Sequence, residues 1–361
     1  MRKSHQPPAT SPQSLNEAIG RLLVVGIPGM ELDDETRATL TDLRVGGVVL
    51  FKRNVDNPKQ IRALTKALHA LPSRPLISVD QEGGRVARLR APFTEFPAAA
   101  IVGRSGDARL ARRIGEAIGR ELSSVGIDID FVPVLDVHSN PANPVIGDRA
   151  FAADPDEVSR FGVAMMRGLH AGGVISCGKH FPGHGDTAAD SHFELPVVAR
   201  SRSGLERVEL APFRAAIAAG IPLLMTAHVV YPALDKKRAA TVSPAIIDRL
   251  LRRRMGFKGV IASDDLHMRA ISGHQSIAGA AVESLVAGVD WLLVCQDLGE
   301  AVKVRDAIYA ALEDGTLKPS VVARASRRIL NLMRRHTRRR RPKTCRLPNA
   351  AHRKLVEALL A

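Results

Sequence analysis

GVISCGKHFPGHGDTAADSH, residues 173–192, joins two kinds of sequence at one point. Its first part is a nearly unbroken apolar run, the mark of a strand covered on both faces. From Lys179 onward it carries three histidines and two aspartates among Pro182, Gly183 and Gly185, which suit neither helix nor strand. Ionisable groups on a constrained irregular loop that follows a buried strand mark a working site on a rigid scaffold.

The same arrangement recurs along the chain. Apolar strand candidates lie at 21–27, 46–51, 75–80, 127–134, 173–180, 222–228, 259–265 and 291–295, with helical stretches such as 108–126 and 204–220 between them. Eight strand–helix repeats predict an α/β fold, a single-domain (β/α)8 TIM-like barrel; ~330 residues suits that fold with insertions. An open doubly wound sheet would show a glycine-rich phosphate turn after its first strand, and GIPGMELDD (26–34) matches that poorly. Asp80, Asp136, Lys179, His180, His228, Asp264 and Asp265 all fall at or just beyond predicted strand C-termini, the face where such barrels place their chemistry.

Composition sets the outer bounds. The 361 residues are 45% apolar and 25% charged, as in an ordinary globular protein. The longest apolar stretch, 215–230, is interrupted by Gly220, Pro222 and His228, so no membrane insertion is expected. The opening MRKSHQPPATSPQ has basic residues but no apolar core behind them and does not read as a secretory signal. Cys177, Cys295 and Cys345 have unrelated spacings, and the first two sit in apolar runs as core thiols would. These features predict a cytoplasmic protein. The net charge of +15 is uneven: from Arg327 to the end there are twelve Lys or Arg against the single acid Glu357, which is +11. The expected division is a flexible extension (1–14), a catalytic barrel (15–333) and a basic tail (334–361), the bounds being those of the family resemblance given below. The tail reads as a solvated, mobile run that could touch nucleic acid or acidic lipid, though it has no aromatic residue on which to stack bases.

Four segments carry chemistry. In VDQEGGRVARLR (79–90), Asp80 ends a strand, Gly83–Gly84 allow a tight turn, and Arg85 and Arg88 offer forked donors; a carboxylate with a guanidinium suits vicinal hydroxyls, or else forms a structural ion pair at the rim. In NPVIGDRAF (143–151), Arg149 either binds a substrate oxygen or pairs with Asp148 or Asp154. Asp190–Ser191–His192 reads as a proton-transfer pair, the carboxylate fixing the tautomer of an imidazole that titrates near neutrality. GVIASDDLHM (259–268) ends a strand on two aspartates, which strand alternation points to opposite sides, so that one enters the barrel mouth as a nucleophile. His180, His184 and His192 invite a metal, but Pro182, Gly183 and Gly185 forbid the helix that would align the first two, and no His-x-His occurs; no metal or other cofactor is expected.

The order DQEGGRV, IGDRAF, KHFPGHGDT with DSH, then SDDL resembles glycoside hydrolase family 3, and within it the single-domain bacterial β-N-acetylglucosaminidases (β-hexosaminidases) of cell-wall recycling, over about residues 15–332. The resemblance implies a metal-free (β/α)8 barrel that retains anomeric configuration. It implies Asp264 as nucleophile, His192 as acid/base with Asp190 as its partner, and Asp80, Arg88, Arg149, Lys179 and His180 around the N-acetylglucosamine unit. The expected activity is removal of a terminal non-reducing β-linked N-acetylglucosamine, from peptidoglycan-derived muropeptides, through a covalent glycosyl-enzyme, by a monomer whose partner is a small carbohydrate. Two alternatives stand beside it: a phosphorylase that uses phosphate as acceptor, and a non-catalytic sugar-binding barrel with a nucleic-acid-binding tail. His267 and Arg269 fall where relatives vary, on the leaving-group side.

Overall fold

A computed structural model of the protein describes residues 12–188, 195–273, 275–338 and 345–360. Eight strands form a closed barrel: β1 (Leu23–Gly26), β2 (Gly47–Leu50), β3 (Leu76–Val79), β4 (Ile129–Asp130), β5 (Ile175–Phe181), β6 (Leu223–Thr226), β7 (Val260–Asp265) and β8 (Trp291–Val294). Each pairs in parallel with its neighbours in sequence, and β8 closes on β1 through Leu23 opposite Leu292. Every residue of β1, β2, β3, β5, β6 and β8 is buried. That is why these strands are continuous apolar runs: one face packs into the barrel, the other under the helices.

The outer layer follows in order: α1 (Asp34–Leu43), α2 (Pro58–His69), α3 (Ala108–Ser124), α4 (Pro155–Ala171), α5 (Leu210–Ala218), the π-helical α6 (Ala245–Arg254), α7 (Ile277–Ala287) and α8 (Leu298–Glu313). Asp107, Asp154 and Asp297 accept from backbone N–H groups at the starts of α3, α4 and α8, satisfying donors that have no partner within the helix. The helical stretch expected at 204–220 is broken into Arg202–Arg207 and α5. The break falls at Val208, whose carbonyl would meet the ring of Pro212 in a continuous helix.

Two departures concern the ends. A leading helix, Pro12–Gly20, crosses the boundary placed at residue 14. Helix α9 (Pro319–Arg338) likewise runs through the boundary at 333. It lies across the N-terminal end of the barrel: Ser326 accepts from Arg21 before β1 (2.7 Å), Arg328 pairs with Asp290 before β8 (2.8 Å), and His336 pairs with Asp128 before β4 (3.0 Å). Part of the basic tail is packed as well. α10 (Ala350–Leu360) buries Leu355 and Val356, and His352 bonds Glu121 on α3 at 2.8 Å. The centre of the basic run, residues 339–344, lies outside the described residues. Cys177 and Cys295 are buried free thiols, pushed well up by burial. Among the described residues no helix is long and apolar enough to cross a membrane.

Candidate active site

The C-terminal ends of the strands surround a cavity of about 520 Å³, lined among others by Asp80, Glu82, Arg88, Arg149, Lys179, His180, Asp264 and Asp265. A volume of this size takes a small-molecule ligand. These side chains come from the ends of β3, β5 and β7 and the loops behind β3 and β4. Barrel closure therefore assembles them from positions far apart in the chain.

One half of the cavity wall is an ion network. Lys179, 2% exposed at its side chain, places Nζ 2.6 Å from Asp80 Oδ1 and 2.6 Å from Glu82 Oε1. Arg88 pairs with the other oxygen of Asp80 at 3.2 Å. Arg149 donates from Nε and Nη2 to the two oxygens of Glu82, both at 2.8 Å, a bidentate pair. Burial alone would favour the neutral acids, but for Glu82 it is outweighed by Arg149 and Lys179, and for Asp80 by Lys179 and Arg88; both carboxyls stay below the usual range. Burial also opposes the Lys179 charge, and Asp80 and Glu82 more than offset it, so this amine stays an ammonium. Three cations against two carboxylates leave this wall one positive charge in excess, on the same cavity as the Asp264 carboxylate.

Glu82 is the residue that sequence reasoning missed, and it corrects the reading of Arg149. That guanidinium meets neither Asp148 nor Asp154; Asp148 pairs instead with Arg85, at 2.9 Å on the surface. A signal was present: Glu82 stands two residues after Asp80, and residues two apart in extended chain share a face. The turn that follows needs its glycines. Gly83 has φ of +99°, and a Cβ there would lie 2.3 Å from the carbonyl oxygen of Pro97.

The loop after β5 is held by Asp136. Its Oδ1 accepts from the backbone amides of His180 (3.1 Å) and His184 (2.7 Å), and its Oδ2 meets His180 Nδ1 at 2.7 Å. His180 therefore has its Nδ1 committed to a carboxylate, which fixes its ring beside the cavity. His184 bonds Thr187 Oγ1 through Nδ1 at 2.9 Å; burial and the neighbouring His180 hold its pKa down at about 4, so it is a neutral structural imidazole. Gly185 lets the loop run against the preceding strand extension, since a Cβ there would lie 1.6 Å from Val137 O. The His180 and His184 rings meet edge-on, centroids 5.9 Å apart. Among the described residues no three His, Cys, Asp or Glu side chains are grouped to hold a metal ion. Asp190 and His192, the predicted proton-transfer pair, lie outside the described residues.

At the end of β7 the structure corrects the alternation argument. Asp264 and Asp265 both line the cavity, because the register against β8 slips between Ala262 and Asp265 and strict alternation stops there. The two are nevertheless distinct. Asp265 is committed, accepting from the amide and Nδ1 of His267 and the amide of Cys295, each at 3.2 Å, which hold its pKa down against burial. Among the described residues the Asp264 carboxylate accepts a single hydrogen bond, from the amide of Asp265 at 2.8 Å. Of the two, Asp264 has the fewer partners among the described residues. His228 is buried, which lowers its pKa, and its two nitrogens face Thr241 Oγ1 and the carbonyl of Asp265.

The model of the glycosyl hydrolase family 3 N-terminal domain matches residues 14–332. The chain belongs to glycosyl hydrolase family 3. Within the family it is 43% identical over 282 residues to a beta-hexosaminidase of Nitrosomonas eutropha, covering 76% of this chain and 80% of that one. It superposes with a TM-score of 0.92 on a family 3 beta-N-acetylglucosaminidase from Paenibacillus sp. str. FPU-7, at 38% identity over 96% of this chain and 68% of that one. NagZ from Neisseria gonorrhoeae in complex with N-trifluoroacetyl-D-glucosamine is 34% identical, with a TM-score of 0.77, over 94% of this chain and 98% of that one. The family 3 barrel thus brings Asp80, Arg88, Arg149, Lys179, His180 and Asp264 to one cavity from four separate motifs.

Proposed function

We propose that this family 3 protein is a retaining exo-β-N-acetylglucosaminidase that removes terminal non-reducing N-acetylglucosamine from small muropeptide-type sugars in the cytoplasm, acting as a monomer. The observation that carries the reading is the Asp264 carboxylate, without a cationic partner among the described residues, at the wall of a cavity whose other side is fixed donors and acceptors. Lys179 and Arg88 donate, and Asp80 and Glu82 accept, which suits the vicinal hydroxyls of a pyranose. Because these groups are already paired with one another, they are held in place before the sugar arrives, which limits the ordering cost of binding.

The reaction runs in two steps. An Asp264 oxygen attacks carbon one of the sugar while His192 gives its proton to the departing glycosidic oxygen; the carbon–oxygen bond to the leaving group breaks and a glycosyl ester forms. Water then attacks the same carbon from the opposite face and yields its proton to His192, and the ester bond to Asp264 breaks. Two inversions leave the configuration unchanged. Asp190 orients the imidazole and stabilises its cation.

A slow-releasing fluorosugar of N-acetylglucosamine, followed by peptide mapping, is expected to label Asp264. A label elsewhere, or freed sugar with inverted configuration by NMR, overturns the mechanism. Release of sugar 1-phosphate rather than free sugar in phosphate buffer overturns the hydrolase assignment in favour of a phosphorylase.

A further inference from the structure

The base of the barrel holds a cavity of its own, about 340 Å³, a size that takes a small-molecule ligand. It lies between the starts of β5, β6 and β7 and helix α9, and it shares no lining residue with the cavity at the mouth. Its lining is apolar at Ile217, Ile221, Phe257 and Leu332. It is cationic at Lys258, Arg328 and Arg335, and none of the lining residues is Asp or Glu. Two of these cations are uncommitted: neither Lys258 nor Arg335 has an ion-pair partner among the described residues. Arg328 shares the Asp290 carboxylate with Arg252, so one buried acid answers two guanidiniums. His336 adds an unmet polar group to the lining. Its side chain is 6% exposed, and its Nε2 is spent on Asp128 at 3.0 Å, while Nδ1 has no hydrogen-bond partner among the described residues. Buried polar atoms are nearly always paired, so an unpaired one on a residue that lines a cationic cavity points to a ligand oxygen.

We propose that this cavity binds a soluble organic monophosphate, an apolar body that carries one terminal phosphate. A phosphate monoester brings about −1.5 to −2 charge at pH 7 and three strong acceptor oxygens. Lys258 and Arg335 can meet that charge without breaking an existing ion pair, and a guanidinium fork matches phosphate geometry. A phosphate oxygen accepts when ionised and donates when protonated, so it satisfies His336 Nδ1 in either form of the ring. The apolar part of the lining answers the rest of the ligand. A body buried against Ile217, Phe257 and Leu332 gains affinity that inorganic phosphate cannot, because that gain comes from apolar surface leaving water. The site is independent of the reaction proposed at the mouth and takes no part in it.

Calorimetric titration of the full chain with 1-naphthyl phosphate, inorganic phosphate and 1-naphthol tests the site. The naphthyl phosphate is expected to bind at least about tenfold more tightly than either part alone, since only it engages both halves of the lining. Two variants locate the binding. Lys258→Gln combined with Arg335→Gln removes the uncommitted charges, and Asn331→Trp places a bulky side chain at an exposed lining position on α9. Each should weaken naphthyl phosphate at least about fivefold, with a melting temperature close to the parent's. Phosphatidylglycerol vesicles at matched phosphate should leave the affinity for naphthyl phosphate within about twofold. Displacement by the vesicles assigns the site to a lipid surface and overturns the soluble ligand. Equal affinity for inorganic and naphthyl phosphate overturns the proposal, because the apolar lining then contributes nothing. Unchanged affinity in both variants places the probe elsewhere, the mouth included, and overturns it as well, as does no binding of the naphthyl phosphate.

Discussion

The two ends of the barrel use the same ingredients to opposite purpose. At the base, Asp128 accepts from the amide of Ile77 at 2.9 Å and meets His69 at 2.7 Å and His336 at 3.0 Å. Asp290 there accepts from the amide of Ile261 at 2.9 Å and pairs with Arg252 and Arg328. Both are at most 3% exposed at their side chains, and their partners tie strand starts to α2, α6 and α9. At the mouth, Asp80, Glu82 and Asp264 are equally strand-end acids, yet they border an open cavity. A carboxylate turned wholly toward protein holds strands together, whereas one that keeps a side toward a cavity can meet a ligand. This is the division between stability at the bottom of such a barrel and chemistry at its top.

That contrast can be broken experimentally, and the largest effect belongs to the mouth. Asp264→Asn should lower turnover on an aryl N-acetylglucosaminide by at least about a thousandfold, with a melting temperature close to the parent's. Loss of folding together with activity would place Asp264 among the structural acids. Glu82→Gln strikes both properties, because Arg149 and Lys179 lose a shared counter-charge. A fall of about a hundredfold in kcat/KM and a loss of about 3 kcal/mol in denaturant unfolding are expected. Asp290→Asn should show a similar stability loss, about 3 kcal/mol, while kcat/KM at a temperature where the protein is folded stays within about twofold.

The base also predicts an acid response. Burial opposes ionisation of Asp128, but the hydrogen bonds from His336 and His69 prevail and depress its folded-state pKa well below the unfolded value of about 3.9. A depressed carboxyl contributes stability that is fully present above the unfolded pKa and is lost as pH falls from about 4 toward the folded pKa. Melting temperature measured from pH 7 down to pH 3 should therefore fall less steeply below pH 4 in Asp128→Asn than in the parent. The smallest effect belongs to the surface: Arg85→Ala removes a half-exposed pair with Asp148 and should change stability by no more than about 1 kcal/mol.

Much of the mouth was legible beforehand because the signals were local. Strand ends showed themselves as apolar runs closing on Asp80, Lys179 or Asp264, and the turn at Gly83–Gly84 was readable from glycine chemistry. Partnership was not. Arg149 reads as binding a substrate oxygen or pairing with Asp148 or Asp154, and the partner it has, Glu82, stands 67 residues away. The alternation rule failed at Asp264–Asp265 because the register slip arises from pairing with β8, which a single strand does not encode. The tail was legible only in part: the centre of its basic run, 339–344, lies outside the described residues, while Leu355 and Val356 are buried and His352 bonds Glu121 on α3, 231 positions away.

By itself the sequence determined the eight buried strands, the end of the barrel that bears ionisable groups, and the motifs that mark a family 3 hydrolase. Those properties follow from hydrophobic periodicity and residue chemistry, which act over a few neighbouring positions. Only the tertiary structure decided which acid answers which base, and which of two adjacent aspartates carries the fewer partners among the described residues. Those outcomes depend on distances and burial created when strands far apart in the chain close into a ring.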